Sequence, residues 1–118
     1  MAEAKNKTEK IVPLLNASNK ARKLMEVWPR VVELNLDGEE KPFFLVIEEG
    51  QAAVEESVEK SVDLVISGSD KAFMDVMAGK KDVTYPIAHG ELKLAKEKIP
   101  DIIAFSRILR TMERRVKG

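Results

Sequence analysis

The sequence has no cysteine, one histidine and few aromatic side chains: one Trp, one Tyr and four Phe among 118 residues. The absence of cysteine excludes a disulfide framework and a thiolate site. His89 has no second histidine or cysteine with which to build a zinc site. So few aromatic rings also argue against a surface on which nucleic-acid bases would stack.

Long hydrophobic segments are missing as well. The longest stretch without a charged residue is residues 11–19, about half of the roughly 20 residues that a membrane-spanning helix needs. The charged start, MAEAKNKTEK, has no apolar signal core behind it. We therefore expect one soluble domain over residues 1–118, with residues 1–7 frayed. We expect it in the cytoplasm, whose reducing conditions suit a chain without cysteine.

The charges balance over the whole chain but not along it. Twenty basic residues face twenty acidic ones, yet residues 31–63 hold ten of the acidic and only two of the basic groups. Both flanking segments are therefore basic. A zero net charge gives no driving force for binding a phosphate backbone, so we expect no nucleic-acid partner. The simplest interpretation is that the acidic middle and the basic flanks pair with each other and with water.

Motifs for catalysis are also absent. The pairs Glu48–Glu49 and Glu55–Glu56 are adjacent in sequence, and neighbours on a strand point to opposite faces, so neither pair converges on a substrate. No serine lies in a G-x-S-x-G elbow. Nothing in the sequence supplies an activated nucleophile. We expect no catalytic residue, no metal and no cofactor.

The first part of the chain has helical periodicity. Ser18 is a good N-cap for a helix in which Ala21, Met25 and Trp28 recur at three- and four-residue steps. Before it, Pro13 interrupts a helical pattern, which predicts that any helix there is short, bent or begins near the proline.

The period then changes to two, and five strands are predicted. The second is apolar on both faces, which is typical of a central strand. The third is polar on one side and is expected at an edge. The predicted strands are 31–37, 42–49, 51–57, 62–67 and 89–97.

Two further helices complete the pattern. A short helix follows the fourth strand, capped by Ser69 or Asp70, with a stripe of apolar residues. The last helix starts near Pro100 and has a wide apolar arc with arginines beside it. The stripe is Phe73, Val76 and Met77; the arc includes Phe105, Leu109 and Met112; the arginines are Arg107, Arg110 and Arg114.

Three segments in this order resemble the sterol carrier protein type-two family, the non-specific lipid-transfer domain. LLNASNKARKLMEVWPRVVELNL resembles the family's first helix, which passes a Leu-Asn-x-Ser step and a tryptophan before the first strand. VDLVISGSDKAFMDVMAGKKD resembles its strand, Ser-Asp and short helix. VTYPIAHGELKLAKE resembles the following turn and Leu-Lys-Leu strand. The resemblance covers roughly residues 8–116.

The resemblance implies an α+β fold: a five-stranded, mainly antiparallel sheet with helices on one face, enclosing an apolar tunnel. It implies non-catalytic carriage of a fatty acyl chain, acyl-CoA, sterol-like lipid or phospholipid. We expect a cavity of some hundreds of Å³, within the range usual for ligand sites. We expect the ligand-binding side chains to be Phe44, Val46, Phe73, Met77, Phe105, Leu109 and Met112.

Two other interpretations stay open. The same fold with a filled core would be an interaction module that forms a homodimer or serves a partner enzyme. The arginines of the last helix would hold the protein transiently at an anionic membrane surface, although a helix dipole also favours arginine at that end.

Overall fold

The computed structural model describes residues 3–77, 80, 82–94 and 99–111. Five helices and five strands lie in these ranges. The helices are α1 (Glu3–Ala17), α2 (Asn19–Glu26), α3 (Asp70–Met77), α4 (Thr84–Ala88) and α5 (Ile99–Arg110). The strands are β1 (Arg30–Leu36), β2 (Phe43–Glu48), β3 (Gln51–Glu55), β4 (Leu64–Gly68) and β5 (Leu92–Leu94). Residues 95–97 of the fifth predicted strand lie outside the described part.

The five strands form one mixed sheet in the order β3-β2-β1-β4-β5. β1 pairs with β4 in parallel, and the other three neighbouring pairs are antiparallel. β2 lies between two strands and β3 lies at an edge, as their patterns predicted. The predicted α+β class and mainly antiparallel sheet are confirmed.

One face of the sheet carries the core. Val32 and Leu34 of β1 pair with Leu45 and Phe43 of β2 on that face. These side chains are at most 1% exposed and form one apolar cluster with residues of α1, α2, α3 and α5. The helices therefore cover the same side of the sheet, where their apolar stripes are removed from water.

The start of the chain differs from its prediction. α1 begins at Glu3 and passes through Pro13, so the segment expected to be frayed is helical from Glu3 onward. Ala4 and Thr8 are buried at 1% and 0% exposure, and their packing fixes the first turns. Pro13 is exposed, and it removes a single intrahelical donor, a loss that the packing of the buried side offsets.

Polar side chains set the starts of two helices. Ser18 lies before α2, and its Oγ accepts a hydrogen bond from the N–H of Ala21, as predicted. Ser69 lies before α3, and its Oγ accepts one from the N–H of Ala72. Each cap satisfies a backbone donor that has no partner within the helix.

Two glycines have conformations that their positions require. Glu49 and Gly50 both have positive φ, 53° and 74°, as in the two-residue hairpin turn that matches the twist of adjacent strands. Gly68 has φ of 130°, and a Cβ there would collide with the carbonyl oxygen of Glu91. Gly68 therefore allows β5 to approach β4 closely.

The edge strand β3 is held by a side chain of α1. The Nδ2 of Asn16 donates to the carbonyl of Ala52 at 3.0 Å, and its Oδ1 accepts from the N–H of Ala52 at 2.7 Å. An amide side chain thus satisfies both backbone groups of one residue on β3. These groups are no longer open to an added strand.

We expect Asn16→Ala to lower the free energy of unfolding by about 1–2 kcal/mol, because both hydrogen bonds are lost. Urea unfolding would measure the change, with Asn19→Ala on the exposed side of α2 as the control. The variant should also self-associate more at high concentration. Equal stability of the two variants would show that the Asn16 contact contributes nothing.

Candidate functional site

Four of the predicted ligand-binding residues lie in the core on the helix-covered side of the sheet. Phe73 and Met77 belong to α3, and Phe105 and Leu109 belong to α5. All four are in the core cluster and are 0% to 6% exposed. The cluster is apolar throughout, so this region can accept only a hydrocarbon surface without a desolvation cost.

The structure corrects the expected position of Phe44 and Val46. Both are half-buried, neither is in the core cluster, and they lie on the face of the sheet opposite α3 and α5. Successive side chains of a strand alternate between faces, and Phe43, Leu45 and Ile47 are the residues of β2 that face the helices. The seven predicted residues therefore do not line one space. Met112 lies outside the described residues.

The expected tunnel is not seen in the described part of the chain. The side chains of Phe73, Met77, Phe105 and Leu109 are packed in the core. For a lipid to occupy this region, a helix that carries these side chains, α3 or α5, has to move away from the sheet. The contacts that hold α5 are therefore the features that decide whether the region opens.

The first of these contacts is at the start of α5. Asp101 is 8% exposed, and its Oδ1 accepts hydrogen bonds from Nε1 of Trp28 at 3.1 Å and Nε of Arg30 at 3.3 Å. The Trp28 ring stacks on Phe105 with 5.9 Å between centroids. The Arg30 guanidinium lies 5.8 Å from the centroid of Trp28. We call these four residues the Asp101 network; they join α5 to the start of β1.

The second contact is at the end of α5. The Oδ2 of Asp82 accepts from Oγ of Ser106 at 2.8 Å and from Nε of Arg110 at 2.7 Å. Its Oδ1 accepts from the backbone N–H and the hydroxyl of Thr84, at 3.0 and 2.7 Å. Partial burial raises the pKa of Asp82, but the hydrogen bonds from Thr84, Ser106 and Arg110 outweigh it and lower the pKa from 3.8 to about 2.

The low pKa of Asp82 makes this contact sensitive to acid. A carboxylate whose pKa is depressed by folding stabilises the fold above its ordinary pKa of 3.8, and this contribution disappears as the pH falls through about 2. Asp82 is 22% exposed, so solvent screening reduces the contribution to on the order of 1 kcal/mol. We expect Asp82→Asn to remove that part of the stability loss between pH 4 and 2. Urea titrations at fixed pH would measure it, and an unchanged pH profile would contradict the assignment.

The sequence revealed neither the Asp101 network nor the hydrogen bonds of Asp82 to α5. Trp28 and Asp101 are separated by 73 positions, and no local pattern connects them. The available signals were weak: a single tryptophan whose N–H needs a partner when buried, and an aspartate in the first turn of a helix. No buried side-chain nitrogen or oxygen among the described residues lacks a hydrogen-bond partner.

Two concave sites on the surface are lined by described residues and differ in character from the core. A groove of about 720 Å³ lies between the start of α1 and the β1–β2 turn, and it is lined mainly by Lys and Glu side chains, with Phe43 at its base. His89 is exposed, with its ring 4.3 Å from the Tyr85 ring between centroids. A smaller cavity of about 120 Å³ lies beside residues 60–63.

In the described ranges, no cluster of acidic or histidine residues could hold a metal ion, and no helix is long and apolar enough to cross a bilayer.

The arrangement defines a small α+β domain, with a mixed sheet, helices on one face and an apolar core between them. Residues 9–97 match the model of the SCP-2 sterol transfer family. The chain belongs to this family, and the resemblance in its three sequence segments is confirmed.

Solved structures share the fold at low sequence identity. A UbiJ-SCP2 ubiquinone synthesis protein is 19% identical, with a TM-score of 0.70 over 91% of this chain and 88% of its own. A sterol carrier protein 2 is 20% identical, with a TM-score of 0.65 over 96% and 95% of the two chains. The sec-alkylsulfatase Pisa1 from Pseudomonas sp. is 12% identical, with a TM-score of 0.60 over 75% of this chain but 13% of the enzyme. No curated protein matches the sequence significantly.

Proposed function

We propose that this protein is a non-catalytic carrier of one lipid, held between the sheet and the layer formed by α3 and α5. The ligand is a fatty acyl chain, an acyl-CoA, a sterol-like lipid or a phospholipid. The observation that supports this most is the burial of four apolar side chains on α3 and α5, together with the polar contacts that hold α5 near both its ends. The four are Phe73, Met77, Phe105 and Leu109. Membership of the SCP-2 sterol transfer family agrees with it.

The energetics allow such a site. Burial of about sixteen methylenes contributes roughly 13 kcal/mol at about 0.8 kcal/mol each. Immobilising the lipid and displacing α5 consume a large part of this, which leaves an affinity in the micromolar range or better. Elements that open for a ligand come from the less stable parts of a fold. We propose that α5 is the element that opens. Its polar attachments are few: the Asp101 network near its start and the hydrogen bonds to Asp82 near its end.

Mass spectrometry tests the proposal whichever lipid the protein carries. The purified protein is sprayed under native conditions, then denatured and extracted into organic solvent. We expect one lipid per chain in the native spectrum and its recovery in the extract. A delipidated sample that takes up neither fatty acid, acyl-CoA, sterol nor phospholipid would refute carriage.

An interaction module with a filled core is the second candidate. The observation in its favour is the near-complete burial of Phe73, Met77, Phe105 and Leu109 among other core side chains. The presence of this fold within a small part of the Pisa1 chain is in keeping with such a role. In that case the single domain over residues 1–118 would serve a dimer or a partner enzyme, and the mass spectra would show protein alone.

We propose that the protein contacts a membrane through the exposed side of α5 when it releases its lipid. Arg107 and Ile103 are both exposed, Ile103 by 44%, and they lie one turn apart on α5. Arg110 is engaged by Asp82, and Arg114 lies outside the described residues. Arg107 is therefore the described arginine best placed to meet an anionic lipid surface.

We expect Arg107→Gln to slow lipid transfer to anionic vesicles about fivefold at low salt, because one basic charge near such a surface contributes about 1 kcal/mol. Equilibrium affinity for the lipid should stay within twofold. Lys41→Gln, an exposed change at the β1–β2 turn, is the matched control. The effect should shrink as salt is added. Equal transfer rates for the two variants at low salt would remove Arg107 from this role.

A further inference from the structure

The sheet has a second face, turned away from the helices, which we call the outer face. Register places on it an apolar strip and three carboxylates. None of these residues belongs to the core cluster. The outer face comprises Val31, Phe44, Val46, Ala53, Val65, Glu33, Glu48 and Glu55, with the polar Asn35, Gln51 and Ser67 between them. Its one described lysine on a strand is Lys93 of β5, which is exposed opposite Ser67, one row away from Glu33 and Val65.

Phe44 lies at the centre of the charged part of this face. Its cross-strand partners are Glu33 on β1 and Glu55 on β3. Side chains paired in this way lie about 5 Å apart at Cβ, so the half-exposed ring has a carboxylate on each side. Val46 pairs with Ala53 in the next row and extends the apolar strip. A ring flanked by two carboxylates attracts a cation both by its π face and by charge.

The chain itself covers one end of the outer face. Lys60 Nζ lies 2.5 Å from Glu48 Oε2, and Asp63 Oδ2 accepts from the N–H of Val31 at 2.9 Å. The connection between β3 and β4 thus neutralises Glu48. Around Phe44, no ion pair with Glu33 or Glu55 is formed by the described part of the chain. Glu55 is exposed there, and Glu33 accepts a hydrogen bond from the side chain of Asn35 at 2.6 Å.

We propose that the outer face binds an amphipathic helix of a partner protein, one that presents Lys or Arg beside apolar side chains. The apolar side chains would cover Val46, Ala53 and Val65. A basic side chain would lie over Phe44 between Glu33 and Glu55. Charge complementarity selects this occupant, because the face combines an apolar strip with unneutralised acid.

The same charges disfavour other occupants. An anionic bilayer or a nucleic acid would meet Glu33 and Glu55 with repulsion. A second copy placed face to face would bring its own carboxylates against these. Addition of a strand at β3 is hindered because Asn16 occupies the backbone groups of Ala52. The inference is independent of lipid carriage, which uses the other face of the sheet.

A synthetic helical peptide of Leu, Ala and Lys with one apolar side is the probe, and the same peptide with Glu for Lys is its control. In amide NMR spectra of the full chain at low salt, we expect the Lys peptide to shift Phe44, Val46 and Val65. The Glu peptide should shift none of them. Shifts confined to the exposed sides of α2 or α5, or no shift with either peptide, would overturn the proposal.

The double variant Glu33→Gln, Glu55→Gln gives the second readout. We expect it to weaken binding of the Lys peptide about fivefold to tenfold, since two exposed charge interactions are lost. Glu26→Gln, the same change on exposed α2, should leave binding within twofold. If the double variant and Glu26→Gln lose the same affinity for the Lys peptide, the effect comes from net charge alone, and the proposed site is refuted. A concentration-dependent dimer that dissociates in the double variant would instead identify a second copy as the occupant and also refute it.

Discussion

Replacing Asp101 with alanine should lower the free energy of unfolding by about 2–3 kcal/mol. The change leaves the buried N–H of Trp28 without an acceptor and removes an acidic group from the first turn of α5. Asp101 also accepts from Arg30, so the attachment of α5 to the start of β1 is lost at two points. Urea unfolding followed by Trp28 fluorescence would measure both the stability and the environment of the ring.

Asp101→Asn is the matched control, because it keeps an oxygen that can accept from Trp28 but removes the charge. We expect it to cost about 1 kcal/mol or less. If α5 moves to admit lipid, Asp101→Ala should also speed uptake of a pyrene-labelled fatty acid, because the displaced state is less costly to reach. Equal stability of the two variants would show that the Asp101 network does not hold α5.

The second large effect is expected from two phenylalanines on opposite sides of the sheet. Phe73 is completely buried on the core side of α3, whereas Phe44 is half-exposed on the outer face. Phe73→Ala should cost about 3–5 kcal/mol, because a large buried side chain is replaced by a cavity. Phe44→Ala should cost about 1 kcal/mol, as is typical of a partly exposed position.

Lipid binding should separate the two variants in the same way. We expect Phe73→Ala to weaken fatty-acid affinity at least tenfold and Phe44→Ala to change it less than twofold, as measured by fluorescence titration of delipidated protein. If Phe73→Ala does not fold, Phe73→Leu gives the same comparison with a smaller change. A larger loss of affinity in the Phe44 variant would move the lipid site to the outer face.

Much of the fold was predictable because its local signals agree with one another. Ser18 caps α2, and the alternation of Val32, Leu34 and Leu36 gave both the strand and its buried face. The position of β3 at the edge followed from its polar side. The Leu-Asn-x-Ser step acquires a physical reason only in three dimensions: Leu15 is buried, Asn16 holds Ala52, and Ser18 caps the next helix.

The side of β2 that faces the helices was not predictable from the sequence. Phe43 to Ile47 are all apolar, so the sequence of this strand does not show which alternate set faces the helices. Register with β1 decides it, since Leu34 and Val32 lie opposite Phe43 and Leu45. Helices α3 and α5 each have a single apolar side, so their sequences show which side is buried. Phe73 and Phe105 lie on those sides and are buried in the structure. The Asp101 network and the hydrogen bonds of Asp82 to α5 join segments that are far apart in sequence, and hydrophobic periodicity does not reveal such contacts.

NMR with ¹³C-labelled palmitate would show whether a lipid lies between the sheet and the helices α3 and α5. Delipidated protein is mixed with one equivalent of the fatty acid, and nuclear Overhauser contacts are collected between its methylenes and the protein. We expect contacts to Phe73, Met77, Phe105 and Leu109. Contacts only to Phe44 and Val46, or a spectrum of free palmitate beside unchanged protein signals, would contradict the proposed lipid site.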